Sequence, residues 1–459
     1  MCSFMTYPET LKYLESFINY EKFTSYPYKE SLKLERIKNF LETLGNPQNY
    51  FKCIHIAGTK GKGSTCAFIA YILREAGYRV GLYTSPHLSD FRERIRILNH
   101  PAYASVSSRS NKEFEGMILK TELTDLIERL KPLIERYNRN SAYGALSFFE
   151  VYTSLAFIYF REKKIDFAVL ETGLGGRLDA TNVIEPLVCA ITPISYEHTQ
   201  KLGNTLKEIA TEKAGIIKNH RPPAAGRQSI VITATQEKEA AEVIRKKCKK
   251  ADAKLFEIGR QIQYETNGGK DLKIKGIFGE YPGLRLRLLG AHQLVNATLA
   301  VSAIEALRFW NIDVGIGAIR KGLYNTLWPG RCEVAVKKPL IILDGAQNTA
   351  SAKALKETIR DKFRYKKLIL VLGISKDKDI KGICSQFYDL ADEIILTKAN
   401  NPRATEPESL AEYFSGKDIC LTTSIKGAIK LAKQKAKEKD LILITGSLFV
   451  VGEAREFCK

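Results

Sequence analysis

Between Phe51 and Thr65 the chain reads Phe-Lys-Cys-Ile-His-Ile-Ala-Gly-Thr-Lys-Gly-Lys-Gly-Ser-Thr, a composition suited to holding phosphate. The apolar run Cys53 to Ala57 predicts a strand. Gly58-Thr-Lys-Gly-Lys-Gly-Ser64 predicts a glycine-rich turn. Ala67, Ile69, Ala70, Ile72 and Leu73 predict a helix that stops at Gly77. Glycines let backbone N–H groups approach an anion, the helix start adds partial positive charge, and a lysine reaches terminal phosphates. The spacing departs from the standard phosphate loop. Ile56 stands where a glycine is expected six residues before Lys62, and Gly63 stands where Ser or Thr is expected after it. Read in isolation, the loop also suits a glycine-rich turn in any α/β protein.

Three further segments carry residues suited to phosphate and metal. They are Tyr83-Thr-Ser-Pro-His-Leu88 with Arg92-Glu-Arg-Ile-Arg96, Glu171-Thr-Gly-Leu-Gly-Gly-Arg-Leu-Asp-Ala-Thr-Asn182, and Thr192-Pro-Ile-Ser-Tyr-Glu-His198 with Glu212-Lys-Ala-Gly-Ile-Ile-Lys218. A carboxylate at a strand end beside a phosphate loop is what a magnesium nucleotide requires, because hard cations prefer oxygen ligands and bridge β- and γ-phosphates. Singly, Glu171 reads equally as a structural cap, His198 as a hydrogen-bonded loop histidine and Lys213 as a surface lysine. Their occurrence together gives them weight.

These residues need a scaffold. Residues 1–50 read as helical, with amphipathic stretches at Glu9–Tyr20 and Ser31–Leu44. Arg79 to Thr84, Phe167 to Thr172 and Val188 to Ile194 read as strands. Residues 117–137, 147–163, Asn204 to Lys218 and Ala291 to Phe309 read as helices. Residues 99–116 are polar and serine-containing and predict a surface insertion. Alternation over 255–289 predicts a small antiparallel piece. After Trp328-Pro-Gly-Arg331, strands at Leu340–Leu343, Leu368–Leu372, Glu393–Thr397, Ile419–Thr422 and Leu441–Ile444 alternate with helices, which is the grammar of a second doubly wound sheet. A domain boundary falls near 328, with a cleft expected between the two halves. The fold class is therefore α/β: an N-terminal mononucleotide-binding, P-loop type doubly wound domain plus a C-terminal Rossmann-like domain.

Composition excludes several classes. The 459 residues, 44% hydrophobic, suffice for one large core and, on length, two. No apolar run approaches the roughly 20 residues a membrane helix needs, and the first residues lack the basic and apolar regions of a signal peptide. Nine scattered cysteines without a Cys-x-x-Cys pair argue against a disulfide framework or zinc cage and fit a reduced cytoplasm. The net charge of +20 (71 basic against 51 acidic residues) favours anionic substrates such as nucleotides and polycarboxylates. A nucleic-acid binder is the competing reading of that charge, but the lysines are not interleaved with aromatics. The run Lys426 to Lys439 reads instead as a solvated helix face whose buried side is Ala428, Ile429, Leu431, Ala432 and Ala436.

Taken together, these segments resemble the folylpolyglutamate synthase and dihydrofolate synthase family within the Mur ligase superfamily. The resemblance also takes in Gly290-Ala-His-Gln-Leu-Val-Asn296, Pro329-Gly-Arg331, Leu343-Asp-Gly-Ala346 and Gly446-Ser-Leu448, in the family's order along nearly the whole chain. It implies a cytoplasmic, monomeric ATP-dependent carbon–nitrogen ligase with residues 1–328 as its ATP-binding domain and 329–459 as its glutamate-ligase domain. ATP would phosphorylate a carboxylate of a pteroate or folyl-glutamate, and L-glutamate would displace the phosphate. The partners implied are small molecules, with neither nucleic acid nor membrane. The resemblance assigns Gly58, Thr59, Lys60, Gly61, Lys62, Gly63 and Ser64 to the triphosphate. Asn296 would contact adenine, Asp344 would lie at the nucleotide, and Arg331 would stabilise transferred phosphate charge. Two Mg²⁺ ions are implied, with Ser85, Glu171, His198 and Lys213 as their ligands. The matching lysine is typically carbamylated in the family, which turns a repelling ammonium into an anionic oxygen ligand. Ser85 would replace the hydroxyl that Gly63 lacks, and Ser447 resembles the glutamate-binding position.

The family commonly has His in Asp-Gly-Ala-His-Asn, whereas this chain has Gln347. Glutamine is neutral at every pH and excludes acid–base work, so Gln347 is expected to donate a hydrogen bond to phosphate or substrate. A Mur-type peptide ligase of cell-wall precursor synthesis is the alternative. About 50 residues before the loop leave little room for the nucleotide-sugar domain such enzymes carry.

Overall fold

The computed structural model describes residues 5–23, 26–100, 102, 114–219, 228–267 and 271–458. Position 101 and positions 103–113 of the expected insertion lie outside the described residues. Two compact units emerge. One comprises Met1–His87, Phe91–Arg287 and Leu294–Thr326; the other comprises Leu88–Asp90, Leu288–Gln293 and Leu327–Lys459.

The first unit is built on strands β1 (Lys52–Ala57), β2 (Val80–Tyr83), β3 (Ile95–Leu98), β4 (Phe167–Glu171), β5 (Val188–Ile191), β6 (Ile230–Thr233) and β7 (Lys254–Glu257). Their order across a seven-stranded sheet is β3-β2-β4-β1-β5-β6-β7. All neighbours are parallel except β2 with β3. β1 is central. The chain winds to one side of it through β2 and β4, then to the other through β5, β6 and β7. Such a reversal opens a crevice at the carboxyl ends of the strands. β1 buries every residue from Cys53 to Ala57, as a strand covered on both faces must. The helix Lys62–Glu75 is buried from Ser64 through Arg74. It takes the helix Ile316–Asn325 so closely that a Cβ on Gly322 would meet the Ile72 backbone.

A separate three-stranded antiparallel sheet contains β8 (Gln263–Asn267), β9 (Asp271–Lys275) and β10 (Glu280–Leu284). The expected antiparallel piece is thus present but begins later than 255, because Lys254–Glu257 joins the large sheet as its edge. The strand expected to reach Ile194 ends at Ile191, where Pro193 cannot donate to the ladder. The helix expected to reach Phe309 is α-helical over His292–Glu305 and tightens to a 3₁₀ turn over Ala306–Trp310. Near the start of the chain the helices are shorter than expected, at Tyr7–Glu15 and Leu34–Thr43.

The second unit has its own sheet of β11 (Glu333–Lys337), β12 (Leu340–Leu343), β13 (Leu368–Leu372), β14 (Glu393–Leu396), β15 (Asp418–Leu421) and β16 (Leu441–Thr445), ordered β11-β12-β16-β13-β14-β15. Only the β11–β12 pair is antiparallel. Alternate residues of β13 enter different cores: Leu368, Leu370 and Leu372 one, Ile369 and Val371 the other. Helix Ile425–Lys435 buries Ile425, Ala428, Ile429 and Ala432, while Leu431 and Ala436 are only half-buried.

Candidate functional site

The glycine turn follows β1 directly, at the crevice of the first sheet. Gly58 (φ +142°) and Gly61 (φ +84°) occupy the region that favours glycine. Space adds a second requirement. A Cβ on Gly58 would fall on Thr192 Oγ1, and one on Gly61 would fall on the Asn296 carboxamide. Asn296, expected at adenine, is thus buried against the N-cap of the helix Lys62–Glu75. That helix's ladder begins with Thr65 N–H donating to Gly61 C=O at 2.9 Å, so helix geometry gives the amides of Lys62 and Gly63 no intrahelical acceptor. Helix-start amides of this kind suit an anion. Ser64 is buried within the first turn. The Thr59 and Lys60 amides behave differently: both donate to Pro193 C=O, at 3.1 and 3.2 Å. Thr59 Oγ1 also donates to Ser195 C=O (3.2 Å) and accepts from Ser195 N–H (3.1 Å). These two residues fasten the loop to the segment after β5 and do not offer those amides to phosphate.

Glu171 ends β4 beside β1 and is 5% exposed. Its carboxylate lies 4.0 Å from Lys62 Nζ and accepts from Ser85 N–H at 3.2 Å. Lys213, 4% exposed at the end of the helix Leu206–Lys213, donates from Nζ to Gly58 C=O at 2.7 Å. Burial, then the Lys62 charge, pushes the Lys213 ammonium down to about 7. The first unit therefore brings together the glycine turn, Lys62, Ser85, Glu171, Lys213 and Asn296. His198 is exposed and opens the short helix Thr199–Leu202 in left-handed backbone (φ 54°). The carboxylate of Glu171 and the hydroxyl of Ser85 are hard oxygen donors suited to a divalent cation. Thr172 Oγ1 and Thr192 Oγ1, in the adjoining strand-end loops, are buried without a hydrogen-bond partner. Among the described residues no three or more His, Cys, Asp or Glu side chains form a metal cage. A cation here would take few protein ligands and leave its other positions to phosphate and water, the habit of Mg²⁺.

A buried relay supports the segment after Glu171. Thr181 Oγ1 donates to Asp179 Oδ1 at 2.6 Å. Its lone pairs then face His55 Nε2 at 2.8 Å, so His55 carries its proton on Nε2. Asp179 Oδ2 accepts from the Gly173 and Leu174 amides at 2.8 and 2.9 Å. Burial, then the Lys218 charge, pushes His55 down to about 3 and keeps it neutral. The spacing of residues in the chain contains no signal for this relay.

In the second unit, Arg331, Asp344, Gln347 and Ser447 sit at the ends of β12 and β16 or just before β11. Asp344 accepts from Cys332 N–H at 2.7 Å and Ala346 N–H at 2.8 Å. Burial raises its carboxyl, opposed first by the Arg331 charge. Arg331 donates to Gly330 C=O at 3.0 Å and borders Gly345. Gln347 is half-buried, its backbone N–H donating to Ser351 Oγ at 3.2 Å. Ser447 is 3% exposed and N-caps the helix Leu448–Phe457, accepting from Phe449 N–H at 3.2 Å.

A mostly parallel sheet with a glycine turn after its central strand, followed by a second mostly parallel α/β unit, is an architecture that ATP-dependent ligases of the Mur type share, and two family models place the chain in that class. Residues 135–304 match the Mur ligase middle domain and 330–448 the Mur ligase glutamate ligase domain. The chain is 35% identical to the dihydrofolate synthase/folylpolyglutamate synthase of Bacillus subtilis, over 93% of this chain and 95% of that protein. It superposes on Mycobacterium tuberculosis folylpolyglutamate synthase complexed with ADP and AMPPCP with a TM-score of 0.82 at 32% identity, covering 93% and 95% of the two chains. It also superposes on the bifunctional folylpolyglutamate synthase/dihydrofolate synthase of Yersinia pestis complexed with AMPPNP and Mn ion, with a TM-score of 0.79 at 27% identity over 99% and 98%. The chain belongs to the dihydrofolate synthase/folylpolyglutamate synthase family.

Proposed function

We propose that this ligase adds L-glutamate both to dihydropteroate and to the γ-carboxylate of folyl-glutamates, through an acyl phosphate, releasing ADP and phosphate. The observation that carries the reading is the placement of Glu171, Lys62 and Ser85 beside the helix-start amides at the end of β1. Phosphoryl transfer mostly requires positioning and charge neutralisation, and this grouping supplies both. Lys62 is assigned to the β- and γ-phosphates, and the amides of Lys62 and Gly63 to phosphate oxygens. Thr59, Lys60, Gly58 and Gly61 shape the turn, and Asn296, packed against Gly61, is assigned to adenine.

Ser85, Glu171, His198 and Lys213 are assigned to two Mg²⁺ ions, Lys213 as a carbamate. When bound, Mg²⁺ offsets phosphate charge. A lysine held near 7 keeps a neutral, CO₂-reactive fraction at ordinary pH. In the second unit, Arg331 is assigned to the transferred phosphoryl group, Asp344 to orienting Arg331, Gln347 to a hydrogen bond toward phosphate or substrate, and Ser447 to L-glutamate. The relatives reported above carry folate-enzyme names, which disfavours cell-wall peptide synthesis. Among the described residues no helix is long and apolar enough to cross a membrane; the eight described cysteines are unpaired, as suits the reducing cytoplasm to which the chain is assigned. The test is ADP release with L-glutamate and either dihydropteroate or tetrahydrofolate. Turnover with both is expected; turnover with neither rejects the folate assignment.

A further inference from the structure

Gln236 lies outside every motif described above, in the turn between β6 and the helix Lys238–Lys250. Its carboxamide is fully engaged. Oε1 accepts from Ile194 N–H at 2.8 Å, and Nε2 donates to Thr192 C=O at 3.1 Å and Thr233 Oγ1 at 3.0 Å. An N–H donor facing Oε1 and two oxygens facing Nε2 leave one consistent orientation of the amide. Gln236 thus grips the residues on either side of Pro193. The peptide joining Pro193 to Ile194 is trans, so its C=O and N–H point in opposite directions. Its N–H is held by Gln236; its C=O receives the amides of both Thr59 and Lys60. One rigid peptide plane spans from Gln236 to the glycine turn.

The same segment touches the turn twice more. Thr192 Oγ1 occupies the space a Gly58 side chain would take, and Ser195 exchanges hydrogen bonds with Thr59. Gly58, Thr59 and Lys60 are thus each shaped by residues 192–195, and Gln236 holds those residues from the far side. We infer that Gln236 is a positioning residue for the nucleotide: through the Pro193–Ile194 peptide it sets the curvature of the turn, and so the direction in which the Lys62 and Gly63 amides face. This rests on reading the turn as the ATP site.

The test measures KM for ATP and KM for L-glutamate on the full-length chain, with circular dichroism as a check on folding. Gln236→Leu, close in size but without polar atoms, is expected to raise KM for ATP about tenfold, with KM for L-glutamate changed by less than about twofold. Gln236→Glu keeps an acceptor for Ile194 N–H but turns an oxygen toward Thr192 C=O where a donor is needed, and is expected to show the same ATP-selective rise. Should the leucine variant not accumulate folded, Gln236→Asn, too short to span both flanking bonds, must show the same ATP-selective rise. An unchanged KM for ATP, or an equal rise for both substrates, overturns the role of Gln236. A wild-type chain that does not turn over ATP overturns instead the reading of the turn on which the role rests.

Discussion

Glu171 concentrates three interactions on one carboxylate: Lys62, the Ser85 amide, and the cation assigned to it. Glu171→Ala is expected to lower Mg-dependent ADP release by about 10³-fold with an unchanged circular dichroism spectrum; retained turnover would show that another acid holds the metal. Gln347→His should keep substantial ligase activity, because a neutral imidazole replaces one hydrogen-bond donor by another; a loss of several orders of magnitude in kcat contradicts the donor role. His55 offers a test through stability. Folded, it titrates at about 3, against 6.5 for an unperturbed histidine. Across that window the unfolded chain binds a proton that the folded chain does not, so stability rises with pH and falls on acidification. The loss between about pH 7 and about pH 5 is about 2 kcal/mol from this residue. Denaturant titrations should show His55→Asn weakening that acid dependence by a comparable amount; an unchanged acid limb would mean that His55 is protonated in the fold.

The helix starts combine structural and chemical work, and substitution can separate the two. Ser447 caps the helix Leu448–Phe457 while standing where L-glutamate is assigned. Ser447→Ala removes cap and hydroxyl together and should cost about 1 kcal/mol; Ser447→Gly should cost only a few tenths, because glycine is tolerated at N-caps. If the hydroxyl meets substrate, both variants raise KM for L-glutamate by a similar factor, whatever their melting temperatures. A glycine variant with wild-type KM would assign the hydroxyl to the helix alone. The helix Lys62–Glu75 was readable from Gly61, Gly63 and the apolar residues after them. The glycine requirement at position 61 was only half readable: its positive φ belongs to the local turn, whereas the second cause, the Asn296 side chain, comes from a helix more than two hundred positions along the chain. β3 and β6 were not recognised as strands in the sequence.

For the chain as a whole, the net charge of +20 bears on substrates with many carboxylates. KM for a polyglutamylated folate should climb with NaCl more steeply than KM for dihydropteroate, because screening acts on each added charge; equal salt sensitivity would place the basic excess away from the tail's path. The two α/β units and the phosphate turn were legible from residue order, since βαβ units and anion-binding turns are local and restrict residue type at each step. Glu171, Lys213 and Arg331 were singled out together only because their segments follow a family's order. Residue order did not carry the capture of the Thr59 and Lys60 amides by Pro193, the proton position on His55, or the grip of Gln236. Thr59 and Ser195 are 136 positions apart. They meet because the sheet sets β5 next to β1, and that adjacency is a property of the packed sheet, where buried amides and carbonyls must find partners among whichever loops become neighbours.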